Sequence, residues 1–184
     1  MSSICSDVNT NHVDELNRPV SYDDLSRREV RSLILHLLYA MDAFDYSVSL
    51  EAITDNFNRG FDLSIPFNSE VFNVAKTVID NRNALDDAIK PLLHNWRFDR
   101  IGLCTKLILR LALWELSNTQ TSANIVMNEA IELAKCFAER DAYKFVNGIL
   151  DEAVKKMGRE SEMEAATESS DQDDEKSATE KSKK

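Results

Sequence analysis

Glycine and proline are scarce in this chain, four and three among 184 residues. The apolar residues recur mostly at helical spacing, which points to an all-α protein. No apolar run approaches the roughly 20 residues of a membrane span. The longest, 107-LILRLALWEL-116, is interrupted by Arg110 and Glu115. A basic-then-apolar signal peptide is missing from the N-terminus as well. The three cysteines, Cys5, Cys104 and Cys136, have no ligand spacing and make no even framework. That is the usage of a reduced, cytoplasmic protein. His12, His36 and His94 form no ligand pair, and no Gly-rich phosphate loop or nucleophile motif occurs. The expectation is therefore a protein with no catalytic residues, no metal and no cofactor.

Positive charge is short too, with a net charge of −10. Its distribution matters more than its sum. Residues 1–25 hold five acids and one base, net −4, and residues 159–184 hold nine acids and five bases, again net −4. The stretch 26–158 keeps 18 acids against 16 bases, net −2. Both ends are poor in large apolar residues, and the last is low-complexity Ser, Glu, Asp and Lys. They are expected as disordered, solvated acidic tails around a globular unit at 26–158.

What is present in 26–158 is a succession of helices. Ser26 with Glu29 makes a capping box, and Leu25 with Val30 a hydrophobic staple. The first helix should run to about Phe44 and bury Val30, Leu33, Ile34, Leu37, Met41 and Phe44. Opposite that stripe lie Arg28, Ser32, Leu35 and Tyr39, with Arg31 nearby. A second helix is expected near 48–58, and 61-FDLSIPFN-68 reads as a connection held open by Pro66. Asn68 can cap a third helix carrying Phe72, Ala75, Val78 and Ile79. A fourth covers 82–94, with Pro91 perturbing its last turn. The helix at 99–117 is apolar nearly all round, which places it in the middle of the packing. In the last two helices Met127, Ala130, Ile131 and Ala134, then Val146, Ile149, Leu150 and Ala153, repeat at i, i+3, i+4, i+7.

Several residues stand outside this core pattern. Arg27, Arg28 and Arg31 sit at a helix N-terminus, where a cation costs a few tenths of a kcal/mol. Backbone N–H groups and guanidinium forks together suit a phosphate; a solvated turn neutralised by Asp23, Asp24 and Glu29 is the plainer reading. Tyr39, in line with the arginines, suits stacking on a single-stranded base or packing against another helix. Asp141 is a natural N-cap. Phe145 lies about a quarter-turn off the last core stripe, on the face of Asp141, Lys144 and Gly148. It is either a core-flanking ring or one that stacks on a base or docks a partner. Gly148 permits close approach of a helix or a ligand.

The motifs 27-RREVR-31 with Tyr39, 95-NW-96, 99-DR-100, 109-LRLALWEL-116, 128-NEAIELAK-135 and 141-DAYKFVNGILD-151 together resemble the NusB family of bacterial transcription antitermination factors. The similarity runs through nearly all of 26–157. It implies two small helical bundles side by side, about seven helices in all, with no catalysis. It also implies binding of the boxA segment of nascent RNA together with NusE, a small-subunit ribosomal protein. That complex joins an RNA polymerase that reads through terminators, notably in ribosomal RNA operons. Carried over by position, the RNA-facing residues would be Arg27, Arg28, Arg31, Tyr39, Phe137, Asp141, Lys144 and Phe145.

The chain departs from the family in three places. More basic residues often precede the arginine cluster, where 23-DDLS-26 stands here; this should weaken non-specific RNA binding. A glutamate that contacts RNA in some relatives aligns with Thr105. The proline often found before the asparagine-glutamate motif is missing from 121-TSANIV-126. Two other readings follow from the same resemblance. The RNA-binding domain of a ribosomal RNA methyltransferase shares the fold, but a polar tail without a methyl-donor motif follows here. A protein–protein module, a homodimer or a NusE binder with weak RNA binding, is the other.

Overall fold

A computed structural model describes residues 22–94 and 96–162; the tails expected at 1–25 and 159–184 lie outside them except for 22–25, where Tyr22–Asp24 form a 3-10 turn, and 159–162. Helix α1 (Arg27–Ala43) begins at the capping box. The Ser26 hydroxyl accepts from the Glu29 N–H at 3.3 Å, and the Ser26 N–H donates to Glu29 Oε2 at 2.7 Å. Two orphan donors are thereby satisfied at once. Helix α2 (Leu50–Phe61) starts at Ser49 and stops where Asp62 turns left-handed, φ 53°. Helix α3 (Glu70–Asp80) is capped by Ser69, whose hydroxyl accepts from the Phe72 N–H. The expected cap Asn68 lies one residue too early, and its carbonyl accepts from the Asn73 side chain instead.

Helix α4 (Arg82–Ile89) passes into a 3-10 turn, Lys90–Leu92, at Pro91, because proline lacks the N–H that would continue the ladder. The long apolar helix starts later than its sequence pattern implies. Phe98–Arg100 form a separate 3-10 turn, Ile101 is extended and buried, and α5 covers Leu103–Asn118. Helices α6 (Ala123–Phe137) and α7 (Ala142–Lys156) follow. Among the described residues there is no strand, and no helix is long and apolar enough to cross a membrane.

Helix α1 packs on α2 and α3, while α5, α6 and α7 pack on one another; α1 meets α5 between the two groups, and α4 lies on α5. Leu107, Ile108, Leu109, Leu111, Ala112 and Leu113 are all essentially inaccessible. A helix apolar nearly all round has its faces divided among five neighbours, α1, α3, α4, α6 and α7, so α5 is the centre of the core. Burying one such leucine contributes about 1.5–3 kcal/mol.

The stripe on α1 is broader than the expected one. Ser32 and Leu35, expected on the outer face, are buried together with Ile34, Leu37, Leu38 and Met41. Helices on both sides of α1 leave it only a narrow strip of solvent. Phe44, expected in the core, is instead exposed. It is the C-cap, and left-handed Asp45 and Tyr46 (φ 48° and 56°) turn the chain away at that point. Tyr46 is anchored through its hydroxyl, which donates to Asp42 at 2.9 Å and accepts from Arg110 at 3.2 Å. Arg110 also grips Asp86 with two bonds of 2.6 and 2.9 Å, tying α1, α4 and α5 together.

Candidate RNA interface

The three arginines of α1 have separate fates. Arg27 is 84% exposed, with one long contact of 3.9 Å to Glu70 on α3. Arg28 is half-exposed and forks onto Glu129 of α6, Nε at 3.1 Å and Nη2 at 3.0 Å. Arg31 is only 7% exposed and grips Glu115 of α5, with Nε 3.0 and 3.1 Å from the two carboxylate oxygens. A charge so buried needs such a partner, so Arg31 ties α1 to α5 and offers little to a ligand.

Helix α6 runs beside α1 in the same direction. Arg28 meets Glu129 at one end, and eight residues on His36 meets Phe137 edge-on, with ring centroids 5.1 Å apart. Eight residues correspond to about 12 Å of helix. Tyr39, three residues beyond His36, is 49% exposed. Arg27 and Arg28 therefore mark one end of a seam, and Tyr39 and Phe137 the other.

Beyond Phe137 the chain turns through Ala138–Asp141 into α7, and this turn builds one wall of a cleft of about 430 Å³. Asp141 sits at the N-cap position, but its side chain caps nothing. Its backbone is left-handed, φ 65°, whereas a capping side chain needs an extended N-cap residue. The carboxylate instead pairs with Lys144 at 3.0 Å and holds that ammonium's pKa above its usual value. Asp141 thus stays at the cleft rim.

Phe145 is half-buried, and its ring packs on Trp96 with centroids 5.4 Å apart and planes inclined by 58°. Trp96 is 59% exposed. Both rings line the cleft, together with Arg100, Thr105, Glu139 and Arg140. The two readings of Phe145 are thus compatible: one part of the ring rests against the core, and another faces the cleft. Gly148 meets no neighbour, and a Cβ added there would point into open space.

Four cleft residues, Trp96, Arg100, Glu139 and Arg140, were not among the expected site residues. Trp96 and Arg100 belong to the short motifs before α5, and only tertiary packing brings those motifs against α7. Thr105 is buried, and its hydroxyl donates to Glu139 Oε2 at 2.9 Å. Burial, and then the Glu139 carboxylate, push the Cys104 thiol pKa up, so Cys104 is a poor nucleophile. Flat aromatic surface, two guanidinium groups and two carboxylates suit the recognition of an unpaired base with its phosphate.

Comparison with known proteins agrees with this architecture. The family model described as the NusB family matches residues 28–155. A transcription antitermination protein NusB of Macrococcus caseolyticus is 35% identical over 133 residues, which span 71% of this chain and 98% of that protein. One of Geotalea uraniireducens is 38% identical over 134 residues, 69% and 92% of the two chains. Among solved structures, NusB of T. maritima superposes with a TM-score of 0.63 at 25% identity, covering 76% of this chain and 98% of that one. A chain in a structure titled as a plectonemic RNA supercoil shares the fold, with a TM-score of 0.60 at 24% identity over 71% of this chain and 94% of that one. By its sequence match and the arrangement of seven α-helices among its described residues, this chain belongs to the NusB family.

Proposed function

We propose that this chain is a non-catalytic, cytoplasmic transcription antitermination protein that binds boxA-type single-stranded RNA together with NusE. The pair joins an RNA polymerase complex that reads through terminators, notably in ribosomal RNA operons. The observation that carries the reading is the cleft between α5 and α7. There Phe145 and Trp96 present ring surface beside Arg100 and Arg140. Stacking holds a base without regard to its identity, and a neighbouring cation holds its phosphate. Along this reading the RNA backbone runs from the cleft past Phe137 and Tyr39 toward Arg28 and Arg27.

The test is binding of a short boxA-type RNA and a scrambled control, with the protein alone and with its own NusE. NusE should tighten binding of the boxA-type RNA selectively. Phe145→Ala and Arg28→Ala should each weaken it by about 1–3 kcal/mol. The engagement of Arg28 and Arg31 by Glu129 and Glu115 favours a second reading, a NusE-binding or self-associating module with little RNA affinity. NusE binding without RNA binding would select that reading.

A further inference from the structure

The side chain of Glu139 occupies space that only a glycine leaves open. A Cβ built on Gly102 would fall 1.5 Å from Glu139 Oε1 and 2.4 Å from its carboxyl carbon. Gly102 is the N-cap of α5, a position without a side-chain cap, and the first turn of α5 holds no acidic residue. The Glu139 carboxylate lies against that turn, where the helix dipole favours an anion. Thr105 fixes it from below, donating to Oε2 at 2.9 Å. Yet Glu139 remains exposed as a whole and lines the cleft alongside Phe145 and Trp96. A carboxylate has about four lone-pair sites. Thr105 uses one, and among the described residues no other group donates to this carboxylate.

Resting on the RNA reading above, we propose that Glu139 selects the nucleobase held in this cleft, favouring guanine and disfavouring uracil. An ionised carboxylate only accepts hydrogen bonds. Guanine offers N1–H and the N2 amino group side by side, a matched pair of donors for two carboxylate oxygens. Adenine and cytosine offer one amino group each. Uracil offers a single N3–H flanked by two carbonyl oxygens, which face the carboxylate unfavourably. The rings of Phe145 and Trp96 bind any base, and Glu139 adds the discrimination. Arg100 and Arg140 offset the repulsion between Glu139 and RNA phosphate.

The test uses the full chain, alone and with NusE, and heptauridylate RNA with its central residue replaced in turn by guanosine, inosine, adenosine or cytidine. Affinity is read by anisotropy, with Trp96 fluorescence as a check on cleft occupancy. Central guanosine should bind about tenfold more tightly than uridine, as one bidentate base contact provides. Inosine, which lacks the N2 amino group, should fall between them. Glu139→Gln keeps the shape but swaps an acceptor for a donor, and should bring the guanosine-to-uridine ratio to near one. Gly102→Ala displaces the carboxylate without removing its charge, and should reduce the same ratio.

Other outcomes overturn the proposal in distinguishable ways. If Phe145→Ala weakens every oligomer while wild type shows no base preference, RNA binding stands and the role of Glu139 falls. If Glu139→Gln weakens all oligomers equally and lowers the Tm, Glu139 only pins the turn to α5. If no oligomer binds under either condition, the RNA reading and this inference fall together.

Discussion

Arg28 and Arg31 lie one helical turn apart and hold different jobs. Arg31 is enclosed with Glu115 between α1 and α5. Arg31→Ala should leave that carboxylate without its partner and destabilise the fold by about 3 kcal/mol, measured by denaturant unfolding. Any loss of RNA binding there would be secondary to unfolding. Arg28→Ala removes a half-exposed pair and should cost less than about 1 kcal/mol of stability, while weakening RNA binding. Gly148 separates the same two effects from the other side. It lies within α7 with open space around it, so Gly148→Ala should stabilise the helix by about 0.5–1 kcal/mol. If RNA backbone passes close to that point, the stabler variant binds RNA more weakly; if binding is unchanged, RNA does not approach Gly148. Sequence placed these residues on the right helices. It could not tell Arg28 from Arg31, because their partners lie 101 and 84 residues away.

At the scale of elements, the helix starts show what local sequence encodes. Ser26, Ser49 and Ser69 cap α1, α2 and α3 from within their own segments, and the capping box of α1 is legible as a pattern. Helices α5 and α6 have no side-chain cap of their own. Their first turns receive carboxylates from elsewhere: Glu139 meets Thr105 across 34 residues, and Glu162 accepts from the Ala123 N–H across 39 residues. No rule of spacing finds such partners. The same reason hid half of the cleft, since Trp96 and Arg100 meet α7 only through the fold. Asp141 misled for a different reason: its residue type favours an N-cap, but its left-handed backbone removes the side chain from that duty. The Glu162 contact has a pH signature. Its carboxyl pKa lies below the usual range, chiefly through the Arg159 hydrogen bond and then the Ala123 N–H. Its stabilising contribution is therefore present above the ordinary glutamate range and is lost as pH falls through the lowered folded value. Thermal unfolding of wild type and Glu162→Gln should differ at pH 7 and converge only once the pH has fallen through the lowered folded pKa of Glu162. A difference that persists in acid would rule out this ion pair as the cause.

Across the whole molecule, the balance of charge bears on the proposed approach of RNA to the seam. The described chain runs past the expected tail boundary at 158. Arg159 donates to the carbonyls of Leu116 and Thr121, at 2.6 and 2.9 Å, and Glu162 is held against the start of α6. Removing everything from residue 159 would therefore unfasten the α5–α6 corner as well as delete charge. Truncation after Glu162 avoids that fault. It removes seven acids and four bases, net −3. If this segment competes with RNA for Arg27 and Arg28, the truncated protein should bind RNA roughly threefold more tightly at low salt. The advantage should vanish at high salt, because the Debye length falls from about 10 Å at 0.1 M to about 3 Å at 1 M. The salt slope offers a second reading of the same competition. Three or four neutralised phosphates on single-stranded RNA give a slope of roughly −2 to −3, and an internal acidic competitor makes the wild-type slope shallower than that of the truncated chain. Equal affinity and equal slope at low salt would mean that residues 163–184 leave the RNA surface untouched. The charge balance around Arg27 and Arg28 would then be set by nearer groups, Glu129 and Glu115 beside Arg28 and Arg31 together with the acidic residues that precede α1.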